Sequence, residues 1–153
     1  MTPLFKKLNF KGQSPVLVVD HPESFAAEIQ AMAGETTFVT DPEAAEEVPF
    51  VLVFARTRDA VNAAAESVVP RLAGDAVCWF CYPKKSSKKY QSDITRDTGW
   101  TALGEHGMEP VRQVAIDADW SALRFRRVEH IKQLKRSTGM LLSEEGKARR
   151  GDD

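Results

Sequence analysis

Two cysteines in 153 residues are too few for a disulfide-stapled scaffold, and a chain of this length does not need one. No apolar run approaches the ~18 residues of a membrane-crossing helix. The opening residues, MTPLFKKLNFKG, contain no apolar core of the kind a signal peptide carries. These absences lead to the expectation of a bacterial, cytoplasmic protein with no membrane partner. A net charge of −1 removes any overall pull toward nucleic acid. The three histidines, His21, His106 and His130, share no ligand spacing with the cysteines, so no metal site is expected.

Charge is distributed unevenly. Residues 20–76 hold eleven acids against the three bases Arg56, Arg58 and Arg71, whereas residues 77–153 hold fifteen bases against eleven acids. The 42% hydrophobic and 28% charged fractions are those of a globular domain with a solvated, mixed surface.

What is present is an alternation of short apolar runs with helical patterns. SPVLVVD (14–20), FVLVFA (50–55) and AVCWFCY (76–82) read as strands buried on both faces. Pro22 suits a first helical turn, with Phe25, Ile29 and Met32 along one face after it. TTFVT (36–40) reads as a short strand, and DPEAAEEVP as an acidic connection with room for one helical turn. Thr57 can cap a helix carrying Val61, Ala64, Val68 and Leu72, and Thr98 and Gly107 bracket a short one. Residues 109–127 alternate polar and apolar about an Asp-Ala-Asp turn, which predicts an edge hairpin with Val114, Ile116, Leu123 and Phe125 inward and Arg112, Arg124 and Arg126 outward. A final amphipathic helix is expected over 128–136, and a disordered charged tail over 137–153. The fold class expected is α/β: a single Rossmann-like three-layer domain over 1–136, its sheet mostly parallel with a C-terminal antiparallel hairpin. In layout, with VVPRLAGDAVCWFCYP as helix, turn and strand, the chain is similar to S-adenosylmethionine-dependent methyltransferases.

The stretch CWFCYPKKSSKKYQ (78–91) concentrates the chemistry. A redox C-x-x-C needs its first sulfur at a helix N-terminus. Here the pair lies inside a strand, where residues i and i+3 point to opposite faces, so Cys78 and Cys81 are expected in the core and apart. The lysines that follow begin where a parallel strand ends, which is where open α/β sheets bind ligands. Lys84, Lys85, Lys88 and Lys89, with Ser86 and Ser87, could hold a phosphate or carboxylate, while Tyr82 and Tyr90 could stack on a ring. The alternative is a charged edge facing solvent. The first strand-to-helix turn, VVDHPESF, has no glycine, which argues against a cofactor held there in the usual way, and none is expected. Asp93, Asp117, Trp120 and Ser121 complete the candidate set, as acids for acid/base work or as turn and cap residues.

Pro83-Lys84-Lys85 with Ser87, Asp93-Ile94-Thr95, Val114-Ala115-Ile116-Asp117 and Trp120-Ser121-Ala122-Leu123 together resemble an uncharacterised bacterial family, a domain of unknown function (3052-like). That resemblance spans most of residues 14–127 and implies a small Rossmann-like domain, with no activity to carry over. The candidate ligand-binding residues are thus Tyr82, Lys84, Lys85, Ser87, Lys88, Asp93, Thr95, Asp117, Trp120 and Ser121. The functional expectation is a non-catalytic module that holds an anionic small molecule, nucleic acid or protein partner at Lys84–Lys89. A small transferase of degenerate methyltransferase type is the alternative, and an oligomeric scaffold subunit, drawing on the amphipathic LFKKLNF and VEHIKQLKR, the second.

Overall fold

A computed structural model describes residues 1–131. The elements run α1 (Pro3–Lys7), β1 (Val16–Val19), α2 (Ala26–Ala31), β2 (Phe38–Val39), β3 (Val48–Phe54), α3 (Arg58–Val68), β4 (Leu72–Pro83), α4 (Thr101–Glu105), β5 (Met108–Ala115) and β6 (Trp120–Arg127). The sheet order is β2-β1-β3-β4-β6-β5, with β1 to β4 parallel and β6 antiparallel to both its neighbours. This is the expected fold class, an α/β sheet closed on one side by a hairpin.

The apolar strands are sorted by the two-residue period of the pleat. On one face Val51, Val53, Cys78, Phe80 and Leu123 pack with Val61, Ala65 and Val68 of α3 and Leu103 of α4. On the other, Phe50, Leu52, Phe54, Trp79, Cys81 and Ala122 pack with Phe5 of α1, Leu8, Phe25 and Met32. The N-terminal segment LFKKLNF is therefore spent on its own core: Phe5 is wholly buried and meets the rings of Phe10, Phe25, Phe38 and Phe50 within about 6 Å. Trp79 fixes it further by donating its Nε1–H to the Leu8 carbonyl at 2.9 Å.

Local signals set the ends. Thr57 caps α3, its hydroxyl accepting the Ala60 N–H at 3.1 Å, and Pro70 stops the helix as a single 3₁₀ turn over Val69–Arg71. The acidic connection does form one turn, Pro42–Ala44, capped by Asp41. The short helix is capped at Trp100 rather than Thr98, whose hydroxyl bonds Thr95 instead. Val128–His130 makes one 3₁₀ turn. The rest of the helix expected over 128–136, and the expected tail, lie outside the described residues. The hairpin departs from expectation in its faces. Because β6 lies inside the sheet, Leu123 and Phe125 enter one layer, Val114 and Ile116 pack beside the other, and Arg124 is half-buried.

The two cysteines occupy opposite layers, both fully buried. Burial pushes the Cys78 thiol up to about 12 and raises that of Cys81 well above its ordinary value. Both stay protonated and shielded, so a thiol reagent at neutral pH should leave native protein unlabelled and modify both sulfurs in denaturant. Labelling of the native protein at the rate of a free thiol would contradict this packing. A second test concerns Asp75, whose carboxylate Oδ1 accepts a hydrogen bond from Arg126 Nε at 3.1 Å. Burial raises the Asp75 pKa, but the hydrogen bond and charge of Arg126 outweigh it and hold the carboxyl below its ordinary 3.8. The folded-state value is the lower one, so the stabilisation is fully present above about pH 4 and is lost as pH falls from there through the folded-state value. Asp75→Asn should flatten the acid side of a stability-versus-pH curve measured by urea unfolding and leave its slope above pH 5 unchanged.

Candidate functional site

The carboxyl ends of the parallel strands open into two neighbouring clefts. The first lies where the chain order reverses, between β1 and β3, the place at which open α/β sheets bind ligands. It measures about 420 Å³ and is lined by Asp20, Pro22, Phe54, Arg56, Thr57, Ala60, Tyr90 and Trp120. The second, about 930 Å³, lies beyond β4 and the hairpin, and Tyr82, Lys84, Lys85, Ser87, Thr95, Arg96, Asp97, Gln113 and Ser121 are among its walls. Tyr90 lines both.

The first cleft is built without glycine. Asp20, directly after β1, takes a left-handed backbone with φ 55°, a conformation that Asp tolerates better than most residues. Its backbone supplies the sharp turn, and the residue lines the cleft. In the same lining, Arg56 lies over the Tyr90 ring at 5.1 Å, and Tyr90 in turn packs against Trp120 at 5.1 Å between centroids. Trp120 is 2% exposed, and its buried Nε1–H has no acceptor among the described residues.

The second cleft is braced by short polar side chains. Asp119 ties the lysine loop to the hairpin: its carbonyl accepts the Lys84 N–H at 2.7 Å and its carboxylate accepts the Ser87 hydroxyl at 2.8 Å. That same hydroxyl oxygen accepts the N–H groups of Lys89 and Tyr90, both at 3.2 Å. Tyr82 is buried in β4, and its phenol oxygen accepts from Gln113 Nε2 at 3.0 Å. Burial raises the Tyr82 pKa, so near neutral pH the phenol keeps its proton.

The structure distributes the sequence-derived candidates as follows. Tyr82, Lys84, Lys85, Ser87, Thr95 and Ser121 line the larger cleft, and Trp120 the smaller. Lys88, Asp93 and Asp117 line neither. Asp93 serves the start of α3, where its Oδ1 accepts the Arg58 N–H at 2.8 Å and its carbonyl accepts Arg58 Nε at 3.0 Å. Asp117 closes the hairpin turn, accepting the N–H groups of Asp119 and Trp120 at 2.8 and 2.9 Å. Sequence reasoning did not single out Asp20, Arg56, Thr57 or Arg96 as ligands. The signal for Arg56 and Thr57 was available, since both follow an apolar parallel strand directly. Among the described residues no group of three or more His, Cys, Asp and Glu could hold a metal ion, and no helix is long and apolar enough to cross a membrane.

The sequence matches no protein-family model and no curated protein, so the resemblance to a domain of unknown function finds no support there. Solved structures do match the fold. The pyocyanin biosynthetic protein PhzM aligns with a TM-score of 0.54 at 13% identity, over 80% of this chain and 52% of its own, so this chain spans about half its length. A methyltransferase of Aquifex aeolicus dependent on S-adenosylmethionine aligns with a TM-score of 0.53 at 13% identity, over 82% of this chain and 88% of its own. The N-methyltransferase NodS from Bradyrhizobium japonicum WM9 gives 0.52 at 16%, over 81% and 92%. At these identities the likeness is one of fold, the methyltransferase-like Rossmann architecture expected from layout. It corrects the expectation of a non-catalytic anion-binding module: solved structures that align over about four-fifths of this chain are methyltransferases, so the fold favours the transferase alternative over that module.

Proposed function

We propose that the protein is a small transferase of methyltransferase type, working in the bacterial cytoplasm, with its donor in the cleft between β1 and β3. The observation that supports this most is the placement of Asp20, Arg56, Tyr90 and Trp120 around one cleft at the reversal point of the sheet. S-adenosylmethionine offers a sulfonium and an ammonium cation, a carboxylate and a flat base. The side chains match that set by type. Asp20 would hold a cationic centre, the Arg56 guanidinium a carboxylate, and the rings of Tyr90 and Trp120 a planar or cationic face.

The fit differs from the usual one in a single respect. A glycine-rich turn lets backbone N–H groups approach the ligand, whereas this turn carries the Asp20 side chain, followed after His21 by Pro22, which has no N–H. Recognition would therefore rest on side chains. When bound, the donor would supply an electrophilic methyl group. The chain's own groups would do the rest: Phe54 and Trp120 exclude water from one wall, and the neutral Tyr82 phenol offers a hydrogen bond in the adjoining cleft.

Calorimetric titration with S-adenosylmethionine, paired with thermal melts, tests the reading. Ligand at about 100 times its Kd should stabilise the protein by roughly 2.7 kcal/mol, a rise of several degrees in Tm for a domain of this size. Asp20→Asn, which keeps a residue tolerant of the left-handed backbone, should weaken binding about tenfold at nearly unchanged Tm. Absence of heat and of any shift with S-adenosylmethionine or its demethylated product would defeat the proposal.

A further inference from the structure

The larger cleft carries a charge balance that its own residues do not neutralise. Lys84, Lys85 and Arg96 line it against the single acid Asp97. None of the three cations has an ion-pair partner among the described residues. They come from two separate segments, one after β4 and one before α4, so the excess of positive charge belongs to the cavity and not to one exposed run. The display is also fixed in advance: the Asp119 brackets on Lys84 N–H and Ser87 Oγ hold the backbone from which both lysines project. A backbone held in this way removes part of the ordering cost that a mobile surface loop would incur on binding an anion. The lining also includes the apolar Pro83, Tyr90 and Ile94 and a phenol–amide pair, Tyr82 with Gln113.

We infer that this cleft binds a small planar ring bearing a carboxylate or phosphate, with the anion on Lys84, Lys85 and Arg96 and the ring against Tyr90. Only the description of that ligand as the acceptor of the transfer rests on the function proposed above; the binding itself does not. Because Tyr90 also lines the donor cleft, a ring held against it lies at the boundary of the two cavities.

The experiment is a titration of the full chain with benzoate and phenyl phosphate, and with benzamide as the neutral isostere, followed by NMR or calorimetry. Both anions should bind and benzamide should bind at least about tenfold more weakly, with the anion affinity falling as salt rises. The double variant Lys84→Gln/Lys85→Gln should lose about tenfold or more for the anions at unchanged Tm. Arg96→Gln, on the other segment, should give a similar loss and serves if the double variant does not fold. Equal affinity for benzamide and benzoate, or full anion affinity in a folded variant, would overturn the inference. A short single-stranded oligonucleotide binding far more tightly than phenyl phosphate would also overturn it, in favour of nucleic acid. The same samples titrated with S-adenosylmethionine separate the two readings: donor binding without anion binding removes this inference alone, and anion binding without donor binding removes only the transferase.

Discussion

The structure depends on one constraint, that β3 and β4 are apolar on both faces. A strand of this kind leaves two surfaces that water cannot be allowed to reach, and each needs its own cover. The chain supplies α3 and α4 to one side and α1, α2 and the aromatic N-terminal segment to the other. Parallel pairing of β1, β3 and β4 then follows from the crossovers, and it brings all three carboxyl ends to one edge. Both clefts are consequences of that arrangement.

Around those strand ends the polar residues divide by reach. The short ones, Asp93, Asp117, Asp119, Ser87 and Thr95, are consumed by backbone N–H groups and neighbouring hydroxyls, and they set the shapes of the loops. The cationic side chains and aromatic rings that line the cavities are less engaged, and Asp20 is the one acid lining the smaller cleft. A carboxylate that accepts two N–H groups, as Asp117 does, is an architectural element first.

Much of the fold was legible because its signals are local and redundant: apolar β-branched runs, a Thr cap, a Pro stop, an alternating hairpin. The period-2 argument that parted Cys78 from Cys81 needed nothing beyond strand geometry. Where the reading fell short, tertiary context decided. Strand β6 alternates like an edge strand, yet it sits inside the sheet because β5 pairs outside it, and nothing in its own residues says so. The site was half legible. The lysine loop was singled out from its place after a strand, but the cleft between β1 and β3 was discounted for want of glycine, since one residue's left-handed backbone at Asp20 cannot be read from its letter. The functional expectation failed for a related reason. It weighed the charge of a loop without the architecture that the loop completes.

The hairpin's outer strand closes the sheet in a further sense. Among the described residues strand β5 is the outermost, but Pro110 removes one of its donors, the register breaks between Pro110 and Arg112, and the Lys7 ammonium takes the Ala115 carbonyl at 2.9 Å. A strand arriving from another molecule would find a gap in the row of donors, a cation at Arg112 and an acceptor already engaged. Among the described residues the sheet ends at β5, and the exposed Val111 beside that break has no flat ladder on which to seed cross-β stacking.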